Sequence, residues 1–229
     1  MLFDQLRLGR VRAGLTQVEA AARLGLSQPY LSQLEHGRRA VTSSVARAAA
    51  KLYRLPATAL PVPPEPPKGR TKRDTLARQL AALGYPGYSH LRPSPPVNPA
   101  LVVLEALSED NLDARVTEAL PWVLVQYPTL NWDWLVSHAK LRNLQNRLGF
   151  LVGVAGDLAE GRPDRSAAAA RLEEVERELE RARLAAETTL SREAMPPAER
   201  EWLRANRPLQ ARRWNILASL TPQQLPYAS

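Results

Sequence analysis

The side chains with the clearest chemistry lie between residues 27 and 39: Ser27, Gln28, Tyr30, Ser32, Gln33, Arg38 and Arg39. A glutamine amide carries a donor and an acceptor side by side, which matches paired groups such as adenine N6 and N7. A serine hydroxyl bonds either kind of partner. Arginine offers only donors, in a fixed fork that suits phosphate. This is a recognition set for a polyanion with readable edges. A catalytic set is not evident. His36, His90 and His138 stand apart from one another and from paired carboxylates, and neither a His-Glu-x-x-His nor a Gly-x-Ser-x-Gly motif occurs. Gly149, Gly153 and Gly156 lack the Gly-Lys-Ser/Thr of a phosphate loop. Asp110, Asp113 and Asp133 read as helix caps as readily as acids. No cysteine is present, so disulfides and thiolate metal sites are excluded, which fits a reducing cytoplasm. The expectation is a non-enzymatic protein without metal or cofactor.

These side chains need a scaffold, and the flanking residues supply its signals. Thr16-Gln17-Val18-Glu19 has the form of a capping box, with Thr16 at the N-cap and Glu19 reaching back. The helix it starts ends at Gly25, which tolerates positive φ in a turn. Ala21 is small enough to let a second helix approach, and Leu26 seals the turn. Ser27 caps the next helix, Pro29 is compatible with its first turn, Leu31 and Leu34 point inward, and Gly37 ends it. Helix, tight turn and helix at this spacing form a helix-turn-helix.

The run GLTQVEAAARLGLSQPYLSQLEHG from Gly14 to Gly37, with Arg10 before it and a helix after Thr42-Ser43, resembles the Cro/C1-type (xenobiotic-response-element-like) helix-turn-helix family over residues 2–60. The resemblance implies a five-helix bundle whose third helix enters the major groove of double-stranded DNA. It implies base contacts at Gln28, Tyr30, Ser32 and Gln33, and phosphate contacts at Gln17 and Ser27. Arg38 and Arg39, just past the third helix, would reach phosphates too. The family commonly pairs an arginine of the first helix with a glutamate closing the third; Arg10 and Glu35 match these places as a structural pair.

Charge and composition divide the chain in the same way. Residues 1–60 hold nine basic and three acidic side chains, residues 61–75 four and two, and the rest eighteen of each. The excess of the net +8 thus lies in the first third, as expected of a phosphate-binding module, although an ordinary basic surface would look alike. Residues 61–73, PVPPEPPKGRTKR, read as a stiff Pro-rich linker with a basic tail of Lys68, Arg70, Lys72 and Arg73. The N-terminus does not read as a signal peptide, and the longest apolar stretch, Leu148–Gly156, is too short for a bilayer.

Residues 74–229 read as a helical domain for dimerisation, partner or effector binding. Helices are predicted over Asp74–Leu83, Pro99–Leu107 (capped by Asn98), Leu112–Tyr127, Trp132–Glu160 with an interruption at the glycines, Arg165–Ser191, Pro197–Asn206 and Pro208–Leu220. Little or no sheet is expected, so the fold class is all-α. Asn111–Tyr127 and Trp132–Leu148 could form one antiparallel pair of the HEAT-like kind. Leu172, Val175, Leu179, Ala182, Ala186 and Thr189 make a narrow seam for a dimer coiled coil or for packing within the domain. Trp122, Tyr127, Trp132 and Trp134 suit core packing or ligand stacking, core being the commoner use. Lys140, Asn143 and Arg147 fall on one face of a continuous helix, a candidate partner or effector face or simply a solvated one.

The functional expectation is a sequence-specific transcriptional regulator, a repressor acting as a homodimer in the cytoplasm, with no membrane association. The alternative is an antitoxin-like or defence-operon autorepressor whose helical C-terminal region holds a partner protein. A third reading is an enzyme or ligand receptor carrying a DNA-binding domain.

Overall fold

The computed structural model describes residues 3–66 and 73–227. The basic linker residues Lys68, Arg70 and Lys72 lie outside the described residues. The fold is all-α, with a single strand pair of two residues each among the described residues. The chain divides into two compact units, Met1–Pro66 with Pro96–Asn98 and Pro67–Pro95 with Pro99–Ser229.

The first unit contains α1 (Phe3–Arg12), α2 (Gln17–Leu24), α3 (Gln28–Glu35), α4 (Ser43–Tyr53) and a 3-10 turn at Ala57–Ala59, which is the fifth helical segment. Each of the three later helices has a side-chain cap. Thr16 Oγ1 accepts from the Glu19 amide at 3.2 Å while the Thr16 amide donates to Glu19 Oε2 at 2.8 Å. Ser27 and Thr42 accept from the amides of Tyr30 and Val45. Gly25 takes φ +68° in the turn between α2 and α3, and the Leu26 amide closes onto the Ala21 carbonyl at 2.9 Å. Leu6, Ala20, Ala21, Leu31, Leu34, Ala49 and Tyr53 form the core. The alanines hold α2 close to α3. Asn98 donates its side-chain amide to the carbonyls of Thr58 and Leu60 at 3.1 and 2.6 Å.

The second unit contains α5 (Arg73–Ala82), α6 (Pro99–Leu107), α7 (Ala114–Gln126), α8 (Trp132–Leu141), α9 (Gln145–Ala159), α10 (Ser166–Glu180), β1 (Thr188–Thr189), α11 (Pro197–Asn206), α12 (Leu209–Arg213) and β2 (Ile216–Leu217). Its spine is α9, apolar nearly all round and buried at thirteen of its positions. α7, α10 and α12 pack on α9, and α8 packs on α6. The indole of Trp214, fully buried, lies where a Cβ on Gly149 would be. No helix among the described residues is long and apolar enough to cross a membrane.

Four expectations about the second unit need correction. The helix predicted over Trp132–Glu160 breaks at Arg142–Leu144 and not at its glycines; Asn143 takes φ +57°, and the Leu144 amide closes back onto the Ala139 carbonyl at 2.8 Å. The pairing of 111–127 with 132–148 gives way to α7 on α9 and α6 on α8. The helix predicted to run to Ser191 ends at Glu180, and Thr188–Thr189 pair in parallel with Ile216–Leu217. That pairing also ends the last helix at Arg213 instead of Leu220. The seam therefore shortens to Leu172, Val175 and Leu179, all buried within the unit as α10 packs on α9.

Candidate nucleic-acid interface

The first unit places a chain of polar side chains across α1, α2 and α3. Arg10 sends Nε and Nη2 to the two Glu35 oxygens at 2.7 and 3.0 Å, a bidentate pair, and Nη1 to the Leu15 carbonyl at 2.9 Å. Glu35 is almost wholly buried, its side chain 1% exposed against 13% for Arg10. Gln17 Nε2 donates to Glu35 Oε2 at 2.9 Å, and Gln28 Nε2 donates to Gln17 Oε1 at 2.6 Å. Burial pushes the Glu35 carboxyl up, but the hydrogen bonds from Arg10 and Gln17 and the guanidinium charge outweigh it, and the group ends below its ordinary range.

Because a carboxylate only accepts, Gln17 must face Glu35 with its nitrogen and Gln28 with its oxygen. Gln28 then gives its nitrogen to Gln17, which leaves Gln28 Oε1 without a partner among the described residues. The relay locks α2 to α3 and fixes which end of the Gln28 amide is offered outward.

The rest of α3 is set differently. Gln33 Oε1 accepts from Arg39 Nε at 2.8 Å, and the Arg39 guanidinium carbon lies 5.8 Å from the centroid of the Tyr30 ring. Tyr30 is half-buried and packs against the core of the unit. Ser32 Oγ lies 3.4 Å from His36 Nδ1, which also meets the Ser32 carbonyl at 2.7 Å. Ser27 caps α3, and Arg38 is exposed beyond it. All of these residues are therefore on or beside one short helix whose Leu31 and Leu34 face inward. Arg39 folds back onto that helix, which its sequence position does not reveal.

In the second unit, Lys140, Asn143 and Arg147 do not share a face, because the chain turns between α8 and α9. Lys140 Nζ pairs with Glu178 Oε1 at 2.7 Å, and Asn143 sits in the turn. Arg147 is buried, donating to the carbonyls of Leu107 and Glu109 at 2.9 and 3.3 Å and to Glu193 Oε1 at 2.7 Å. It ties three chain segments together, and its partners lie about forty positions away, out of reach of any local motif. The aromatic side chains form an edge-to-face cluster in which Tyr85 touches Tyr88, Trp122 and Tyr227, and Trp122 touches Tyr127. Trp134 instead stacks on His138. An open groove of about 610 Å³ lies elsewhere in this unit, with Thr117, Met195, Leu203, Leu217 and Gln224 among its walls.

No curated protein and no solved structure matches the chain. Residues 2–61 match the family model described as a helix-turn-helix domain. That segment is a helix-turn-helix domain, and a domain of this kind suggests a DNA-binding regulator.

Proposed function

We propose that the protein is a transcriptional regulator that binds specific sites on double-stranded DNA, acting as a repressor and as a homodimer. The observation that carries the reading is α3 itself: two glutamine amides held in fixed orientation on a helix anchored by Leu31 and Leu34. Amides held in advance lose little freedom on binding, which favours sequence reading over loose attraction. In this reading Gln28, Tyr30, Ser32 and Gln33 meet base edges, and Gln17, Ser27 and Arg38 meet backbone phosphates. One eight-residue helix touches few base pairs, so a two-fold dimer is needed to specify a site. Residues 74–229 supply self-association and hold any partner or effector, and the protein works on DNA in the cytoplasm.

Selection of duplexes from a randomised library by the full-length protein, followed by footprinting, tests this. The expected outcome is a two-fold symmetric site with half-sites about 10 base pairs apart. Equal retention of all duplexes overturns specific DNA binding, and a single protected half-site without symmetry overturns the dimer. A reporter gene placed behind the selected site should be expressed less when the protein is present; higher expression overturns repression.

A further inference from the structure

We infer that Arg39 sets the base specificity of Gln33, turning it into a reader of guanine in place of adenine; the inference rests on the reading of α3 as the base-contacting helix. A glutamine amide reads adenine by accepting from N6 and donating to N7. Which end of the amide faces a partner is often ambiguous, but here it is not. Arginine has no acceptor, so the Gln33 atom 2.8 Å from Arg39 Nε must be the oxygen. That charge-assisted bond is stronger than one from a neutral exocyclic amine. Gln33 Nε2 has no partner among the described residues, so both its N–H groups are left to offer, while Oε1 has one lone pair already engaged by a cation.

Arg39 is itself held. Its guanidinium lies 5.8 Å from the centre of the Tyr30 ring, and that ring packs on the core formed by Leu31, Leu34 and their neighbours. The Arg38 amide closes onto the Gln33 carbonyl at 2.9 Å, which turns the chain back along α3 and brings residue 39 beside residue 33. Gln33 and Arg39 together then present donors. Guanine offers acceptors at both O6 and N7, whereas adenine would bring its N6 donor against a guanidinium. Gln28 is set the opposite way, with its nitrogen engaged by Gln17 and its oxygen left to accept. Two identical side chains on one helix thus acquire opposite preferences from their neighbours, and Arg39 is a positioning residue and not simply a phosphate contact.

The test is duplex selection with the full-length protein and its Gln33→Ala, Arg39→Ala and Arg39→Lys variants. Gln33→Ala identifies the base pair that Gln33 reads, as the position whose preference flattens. The expected result is guanine there for the unaltered protein and a swing toward adenine of about tenfold or more in Arg39→Ala. Arg39→Lys keeps the charge but loses Nε and the flat guanidinium, and the same swing is expected. Adenine at that position in the unaltered protein overturns the inference. So does a uniform loss of affinity in Arg39→Ala with base preference intact and with Arg39→Lys behaving as the unaltered protein, which is the pattern of a phosphate contact. Absence of any selected site for the unaltered protein overturns the base-reading role of α3, and the inference with it. Arg39 is exposed, and circular dichroism of each variant matching the unaltered protein shows that the fold is kept.

Discussion

At the scale of single residues, two of the buried charges, Glu35 and Arg147, have different jobs and different signatures. Glu35 accepts three hydrogen bonds, from Arg10 twice and from Gln17 once. Its carboxyl titrates below the ordinary 4.5 when folded, so the pair stabilises the unit fully above that value and loses its contribution as pH falls through the lower folded one. Glu35→Gln should therefore cost about 2–4 kcal/mol at pH 7, because it leaves Arg10 without its carboxylate. The gap between variant and unaltered protein should narrow in thermal melts taken from pH 5 down to pH 3. A gap that stays constant through that range would show that the ion pair is not what Glu35 supplies. Arg147 is the counterpart in the second unit. Arg147→Met should cost about 3–5 kcal/mol by removing the buried guanidinium that donates to the carbonyls of Leu107 and Glu109 and pairs with Glu193, which keeps Thr189 Oγ1 and the more distant Arg200. Urea denaturation reads this directly, and DNA affinity measured well below the transition should not change.

At the scale of elements, α9 offers a test in which two identical substitutions differ in sign. A Cβ on Gly149 would enter the ring of buried Trp214, whereas one on Gly156 meets nothing within 4 Å. Gly149→Ala should destabilise by about 1–3 kcal/mol through overpacking, despite the gain in helix propensity. Gly156→Ala should stabilise by about 0.5–1 kcal/mol, since only the propensity term acts. Melting temperatures that move in the same direction for both would mean that Trp214 does not seat on Gly149. Legibility in the sequence follows the range of the determining forces. Thr16, Gly25 and Ser27 act on their nearest neighbours, so α2, the turn and α3 could be read from spacing alone. The end of α10 could not. Its last expected turns are displaced by Asn146, whose amide bonds Leu184 both ways at 2.9 and 2.8 Å, and by the pairing of Thr188–Thr189 with Ile216–Leu217. Those partners lie nearly thirty or more positions away, and no periodicity in 166–191 records them. The same holds for the candidate site: Gln28 and Gln33 stand out by residue type, but their amide orientations come from Gln17 and Arg39, through contacts that spacing does not specify.

At the scale of the whole molecule, charge is distributed so that salt dependence and base discrimination can be separated. Residues 1–60 carry nine basic and three acidic side chains, while residues beyond 75 are balanced. Each phosphate neutralised by a cation releases counterions, so the slope of log affinity against log salt counts such contacts. Arg38 is exposed just past α3. Arg38→Ala should lower that slope by about 1 and weaken a selected and a scrambled duplex equally. Gln33→Ala should leave the slope unchanged and lose about 1–3 kcal/mol on the selected duplex alone. Arg177 makes a control of the same charge change, being exposed on α10 with its Nε 4.0 Å from Glu173. Arg177→Gln should alter neither slope nor discrimination, because its cation belongs to the balanced region. Fluorescence anisotropy titrations at four or five salt concentrations distinguish all three variants. If Arg177→Gln flattens the slope as much as Arg38→Ala does, phosphate contact is spread over the second unit, and the assignment of DNA binding to the first sixty residues alone fails.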